Sequence, residues 1–358
     1  MLKVTTQLFP GMAGNLPGSV PAPFNLKKAL RRWLLRLLGT GLLLVLLWRL
    51  NLNWGQVMAD VARVNFLAVM GAVGLIFPII GLKAWRWRYL LTNYKINLST
   101  SQAIALYGQG MAAGSITPGQ AGDVIKAFYL QKQGYALGKS IGSVLLDRLF
   151  DVLILVFFAI FGLLQLGKNY TGQLPTMLGL LAVVGGGIII LVVPRFSAFF
   201  LEQVPARLVQ QKIQCGKAWA EIRSEQDRAS TGYNLSMASI GGSMLLTLLT
   251  AGLAIGRTWL LALAIGISLD PSAVLAVSSL ATVASLVPVT INGIGARDLT
   301  LISVMSQLGY NNEIAVTLST LLLLLNLFNL FAGYAVWIIF RAYPKSPARL
   351  KVMKAQAK

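Results

Sequence analysis

The run Ile141-Gly142-Ser143-Val144-Leu145-Leu146-Asp147-Arg148-Leu149-Phe150-Asp151-Val152-Leu153-Ile154-Leu155-Val156-Phe157-Phe158-Ala159-Ile160-Phe161-Gly162-Leu163-Leu164-Gln165-Leu166 decides the fold. As a helix rising about 1.5 Å per residue it outreaches a hydrocarbon core of about 30 Å. Its charged residues are Asp147, Arg148 and Asp151. If the helix enters near Lys139, Asp147 lies roughly 12 Å deep and Asp151 roughly 18 Å. A charge at the bilayer centre costs at least about 2.5–3.5 kcal/mol on insertion scales. Four-residue spacing puts Asp147 and Asp151 on one helix face, and three-residue spacing lets Arg148 pair with Asp151. Such a set is either a structural ion pair that locks helices together or the wall of a polar cavity. Intramembrane ionisable groups favour the cavity.

Composition points the same way. Of 358 residues, 56% are hydrophobic and 12% charged, where soluble domains run near 25% charged. One or two water-soluble cores cannot hide that much apolar surface. The fold class is therefore an all-α polytopic membrane protein. Lys and Arg number 31 against 11 Asp and Glu, a net charge of +20. In so apolar a chain that excess marks loops on one side of a membrane rather than a nucleic-acid partner. The sequence has no His, which removes Ser–His triads, HExxH zinc sites and His-ligated haem. The single Cys, Cys215, allows no intramolecular disulfide and no thiolate cluster. No metal or cofactor is expected, and no P-loop signature for a nucleotide occurs.

Residues 1–25, rich in Pro and Gly, read as a disordered tail, and 343–358 as a basic tail. One transmembrane domain fills 26–342. Basic residues Lys27 to Arg36 precede an apolar stretch with no small-residue cleavage site, so the first span is read as retained. About six full spans are expected, near 37–50, 66–82, 141–166, 178–193, 235–269 and 314–340. Trp54, Val57, Met58, Val61 and Val64 recur at helical spacing, an amphipathic helix lying at the interface. The second span ends at Lys83-Ala84-Trp85-Arg86-Trp87-Arg88-Tyr89, an aromatic and basic anchor at a membrane face.

Segments 99–123 and 272–298 are broken by small and polar residues and are read as re-entrant. With the N-terminus inside, 25 of the 31 Lys and Arg then fall on inner segments. Letting both broken segments cross would carry the basic loop 194–232 outside, against the positive-inside rule. The expected location is a bacterial-type cytoplasmic (inner) membrane, with both termini cytoplasmic.

Both broken segments carry a motif. In the first, Pro118, Gly119 and Gly122 break the helix before Asp123 and Lys126. Irregular backbone at membrane depth needs a protein or a wet cavity around it. Asp123 is either an N-cap or part of a turn that offers N–H groups to an anion such as phosphate; Lys126 is the better headgroup contact. In the second, Pro288 leads to Asn292, Gly293, Gly295, Arg297 and Asp298 and then an apolar helix. Pro, Gly turn, acid and helix in both halves, one segment entering from each side, is the pattern of an inverted repeat with a site near the midplane. Asn326 and Asn329 share a face with Gly333 and read as interhelical packing glue.

Three blocks in order resemble the flippase-like family that includes the membrane region of lysylphosphatidylglycerol synthase. Pro118 to Lys126 is similar to its P-G-x-x-G-D/E-x-x-R element, Leu145 to Asp151 to its E/D-R-x-x-D/G helix, and Pro288 to Asp298 to its P-I-S-I-N-G-I-G-x-R-E element. Lys126 stands where the family has Arg, Asp298 where it has Glu, and Ala113 and Gly114 where an Asn is common. The resemblance implies a protein that moves a lipid between leaflets, or assists that movement. It does not imply lysyl transfer, which in the family belongs to a separate soluble domain, and 18 residues follow the last expected span here.

The expected substrate is therefore a phospholipid or lipid-linked sugar with an anionic or zwitterionic headgroup, including isoprenoid-linked ones, carried passively or coupled to an ion. Its headgroup path is read as Pro118, Gly119, Gly122, Asp123, Lys126, Asp147, Arg148, Asp151, Asn292, Gly293, Gly295, Arg297 and Asp298. Two alternatives stand beside this non-enzymatic reading. One is a membrane transferase in which Asp147 and Asp151 hold Mg²⁺ and a diphosphate. The other is a non-catalytic partner of a separate glycosyltransferase or synthase. A homo-oligomer is compatible with all three.

Overall fold

The computed structural model describes residues 41, 48, 52–117, 120–166, 237–286 and 293–340. These belong to one compact unit, Arg36–Lys358, and every element among them is helical. In chain order they are α1 (Trp54–Ala62), α2 (Phe66–Gly74), α3 (Ile76–Asn93) and α4 (Thr100–Ser115). After a 3₁₀ turn at Ala121–Val124 come α5 (Ile125–Lys132) and α6 (Leu137–Leu166). Then follow α7 (Met237–Ala264), α8 (Pro271–Ser285), α9 (Ala296–Gln307) and α10 (Asn312–Phe340).

Local chemistry sets the boundaries. Asn53 caps α1 by accepting from the Gln56 N–H. Asn65 caps α2 by accepting from the Leu67 and Ala68 N–H groups at 3.0 and 3.3 Å. Ser99 and Gln102 form a capping box on α4. Pro271 opens α8, where its missing N–H costs nothing. Pro78, near the start of α3, cannot donate to the turn before it, and the α2–α3 rod is interrupted at Leu75.

Among the described residues, three helical stretches are long and apolar enough to cross a membrane: Phe66–Asn93, α7 and α10. The 30-residue α6 matches them in length. Large apolar side chains such as Phe157, Leu164, Leu245, Phe331 and Ile339 stay exposed on the outer faces, as lipid-facing surfaces do. In α1, Val57 is buried while Trp54, Met58 and Val61 are exposed, in keeping with a helix at an interface.

The elements repeat. Phe66–Asn93 and α7 are both 28 residues long. They are followed by α4 and α8, of 16 and 15 residues, then the short α5 and α9, then α6 and α10 of 30 and 29 residues. The two 28-residue rods run antiparallel. The Asn65 N–H donates to the Ala264 carbonyl at 2.8 Å, and the Asn93 amide donates to Ser239 Oγ at 2.8 Å, which joins the start of each to the end of the other. Packing is exchanged between halves: α4 packs against α10, and α8 against α6. At the first crossing a Cβ on Gly108 would lie 2.8 Å from the Gly333 carbonyl, so two glycines allow the backbones to touch. This is the arrangement of an inverted repeat.

In the segments read as re-entrant, the described helices are short. At about 1.5 Å per residue, α4, α8 and α9 reach roughly 24, 22 and 18 Å, less than the hydrocarbon core of about 30 Å. Within the apolar run 235–269 a single helix spans Met237–Ala264, with Gly266 in the left-handed region after it. The helical stretch that carries the expected span 66–82 continues to Asn93, so Lys83 to Tyr89 lie within it. The expected spans at 37–50 and 178–193 lie outside the described residues, Gly41 and Trp48 excepted, as do both tails.

Candidate functional site

The interruption in the chain after α4 matters because of what the following turn delivers. Gly122 N–H donates to Thr117 Oγ1 at 2.7 Å, and the Asp123 N–H donates to the Gln120 carbonyl at 3.3 Å. These donors are therefore engaged within the turn, and no phosphate cradle is offered by them. Nor does Asp123 cap α5, which has no side-chain cap. Its carboxylate instead points at cations: Oδ2 accepts from Arg148 Nε at 2.8 Å and lies 2.8 Å from Lys126 Nζ. Gly110 on α4 makes room for this pair, since a Cβ there would lie 2.5 Å from Asp123 Oδ1 and 3.0 Å from Lys126 Cγ.

Asp147 and Asp151 face the same way from α6, as their spacing requires. Their shared partner is Arg86 on α3. Arg86 Nε donates to Asp147 Oδ1 at 2.9 Å, and Nη1 donates to Asp151 Oδ1 at 2.6 Å and to Thr247 Oγ1 at 2.7 Å. Nη2 donates to the Asp147 carbonyl at 3.0 Å. Lys83, one turn earlier, donates to Asp151 Oδ2 at 2.8 Å. Tyr107 Oη donates to Asp147 Oδ2 at 3.3 Å, and Lys126 Nζ stands 3.6 Å from the same oxygen. Lys126 is fully buried, 4.0 Å from the Tyr107 ring centroid and 5.1 Å from that of Trp87, a cation–π cage.

Four cations (Lys83, Arg86, Lys126, Arg148) thus meet three carboxylates (Asp123, Asp147, Asp151), leaving one positive charge in excess. The cluster is shut inside and open on one flank. Arg86, Lys126 and Asp147 side chains are 0% exposed, whereas Lys83, Arg148 and Asp151 show 23, 26 and 16%. Arg148 reaches Gln120 Oε1 at 3.2 Å but is 4.0 Å from Asp151, so its chief partner is Asp123 rather than its neighbour on α6.

The second motif forms a separate group. Gly293 and Gly295 have φ of +78° and +93°, which disfavours any side chain there. The Gly295 N–H donates to Asp298 Oδ2 at 2.9 Å, and Arg297 Nε to Asp298 Oδ1 at 2.9 Å. Ser319 Oγ on α10 donates to the same oxygen at 2.6 Å. This neutral pair fastens the start of α9 to α10. Among the described residues no ion pair or hydrogen bond joins it to the Asp147 cluster. Pro118, Gly119 and Asn292 lie outside the described residues.

Arg86 is the group that sequence reading missed. It was placed in a basic anchor at the membrane face, yet it is fully buried. The signal was present: no Pro or Gly separates Leu82 from Asn93, and Lys83, Arg86 and Trp87 share a helical face. Asn329 does join helices, accepting from Arg257 Nη1 on α7 at 3.2 Å, and its amide donates to Asn326 Oδ1 at 3.3 Å.

Comparison with known proteins fits this architecture. The family model described as lysylphosphatidylglycerol synthase TM region matches residues 34–343. The chain is also similar to UPF0104 membrane protein PH1989 of Pyrococcus horikoshii, at 22% identity over 315 residues, covering 82% of this chain and 92% of that protein.

Proposed function

The chain belongs to the lysylphosphatidylglycerol synthase TM region family, and on that premise we propose that it moves a phosphate-bearing lipid, or assists its movement, between leaflets. The observation that carries this reading is the buried charge cluster with one excess cation, open only beside Lys83, Arg148 and Asp151. A headgroup needs a polar route through hydrocarbon, while its tails stay in the bilayer. A phosphate oxygen arriving at that flank takes the place of the Asp151 carboxylate beside Lys83 and joins Asp123 as a partner of Arg148, and its charge balances the excess. Fixed counter-charges on α6 keep the binding weak enough for release.

The same geometry favours carrying over metal-assisted transfer. Asp147 and Asp151 direct their oxygens at Arg86, Lys83 and Tyr107, so a divalent ion would have to displace three donors. The test is reconstitution in liposomes with labelled phosphatidylglycerol and a labelled isoprenyl phosphate, scoring exchange between leaflets. Arg148→Ala, at a partly exposed site, slows exchange by at least about tenfold, the weight of one charge-assisted contact, with a wild-type melting curve. Exchange by neither lipid, or full exchange in Arg148→Ala, overturns the reading.

A further inference from the structure

The repeat assigns a counterpart to Arg86. The rods Phe66–Asn93 and Met237–Ala264 are both 28 residues long, and Arg86 and Arg257 occupy the same register in them. Each lies roughly 10 Å before the C-terminal end of its rod, at about 1.5 Å per residue. Because the rods are antiparallel, the two guanidinium groups belong to opposite halves of the bundle. Their surroundings differ sharply. Arg86 is held by Asp147, Asp151 and Thr247. Among the described residues Arg257 has no carboxylate partner, and its one recorded contact is the Asn329 amide oxygen at 3.2 Å.

An arginine in an apolar helix with no carboxylate beside it among the described residues is costly to keep. Asn329 stands beside it and donates in turn to Asn326 Oδ1 at 3.3 Å, and the two amides offer further N–H donors to an anion. On the same two helices, Trp259 of α7 and Leu324, Leu327 and Phe328 of α10 are exposed, apolar surface of the kind acyl chains cover. We propose that Arg257, Asn326 and Asn329 form a second anion site, which takes the phosphodiester of a membrane lipid from the leaflet opposite to the one served by the Arg86 cluster. It rests on the lipid-carrying reading for the identity of the ligand, and on the repeat for its place.

The test is equilibrium binding to the purified full chain in detergent, with short-chain phosphatidylglycerol and with glycerol phosphate as probes. Arg257→Gln keeps a donor for Asn329 but loses the charge. It weakens binding of the short-chain lipid by about tenfold, and Arg257→Lys by about threefold, charge kept and fork geometry lost. Wild-type affinity in Arg257→Gln overturns the site, because a mere packing bond predicts that result. If Arg257→Gln does not fold, Asn329→Ala decides, with unchanged affinity again overturning it. Equal affinity for glycerol phosphate and the lipid, both lost in Arg257→Gln, overturns the lipid assignment in favour of a soluble anion. Since binding is read at equilibrium, absent leaflet exchange with intact Arg257-dependent binding sinks the transport reading and leaves this site standing.

Discussion

At Arg86 one guanidinium answers two carboxylates, a hydroxyl and a backbone carbonyl. Removing it leaves Asp147 and Asp151 buried without their main counter-charge. Arg86→Met therefore destabilises the protein by about 3–5 kcal/mol, the usual cost of breaking a buried pair from one side, read as a lower melting temperature in detergent. Arg86→Lys recovers only part of this, because an ammonium cannot fork to both acids. Arg148→Ala, at the open edge, changes melting little while slowing exchange. The sequence made the acids legible, since Asp147 and Asp151 stand out in an apolar run. It hid Arg86, because a basic residue beside Trp and Tyr looks like an interfacial anchor until the helix is known to continue to Asn93.

At the scale of the element, glycines decide how close α4 comes to its neighbours. A Cβ on Gly333 would lie 2.5 Å from the Gly108 carbonyl. Gly108→Val or Gly333→Val separates α4 from α10 and costs about 1–3 kcal/mol, as overpacking does, measured by melting. Gly108→Ala combined with Gly333→Ala departs from additivity, since the two share one contact. Gly110→Val displaces Asp123 and Lys126 without touching a charge, so exchange falls while the α4–α10 crossing is kept. The small-residue composition of 99–123 showed where a helix would be broken. Which glycine met which backbone could not be read from it, because those partners are more than two hundred residues away for Gly108 and Gly333.

At the scale of the whole molecule, packing is exchanged: α4 of the first half rests on α10, and α8 of the second half rests on α6. The two halves are therefore interlocked, and destabilising either crossing should loosen both, seen as a single melting transition shifted by Gly108→Val. By the positive-inside rule, Cys215 in the basic loop 194–232 is expected on the cytoplasmic side. An impermeant thiol reagent is expected to label Cys215 only after lysis; labelling of intact cells reverses the orientation.

By itself the sequence determined the class of protein, since an apolar composition with few charges has no aqueous core to form. It also marked the two broken segments and the acids of α6, because Pro, Gly and Asp are conspicuous in hydrocarbon-compatible runs. Only the tertiary structure decided which charges belong together. It took Arg86 out of an anchor and into the cluster, separated Arg297 and Asp298 from it, and left Arg257 facing Asn329. The physical reason is distance along the chain: ion pairing at membrane depth is set by how helices cross, and the partners of Arg86 arrive from α6 and α7, which local sequence patterns do not specify.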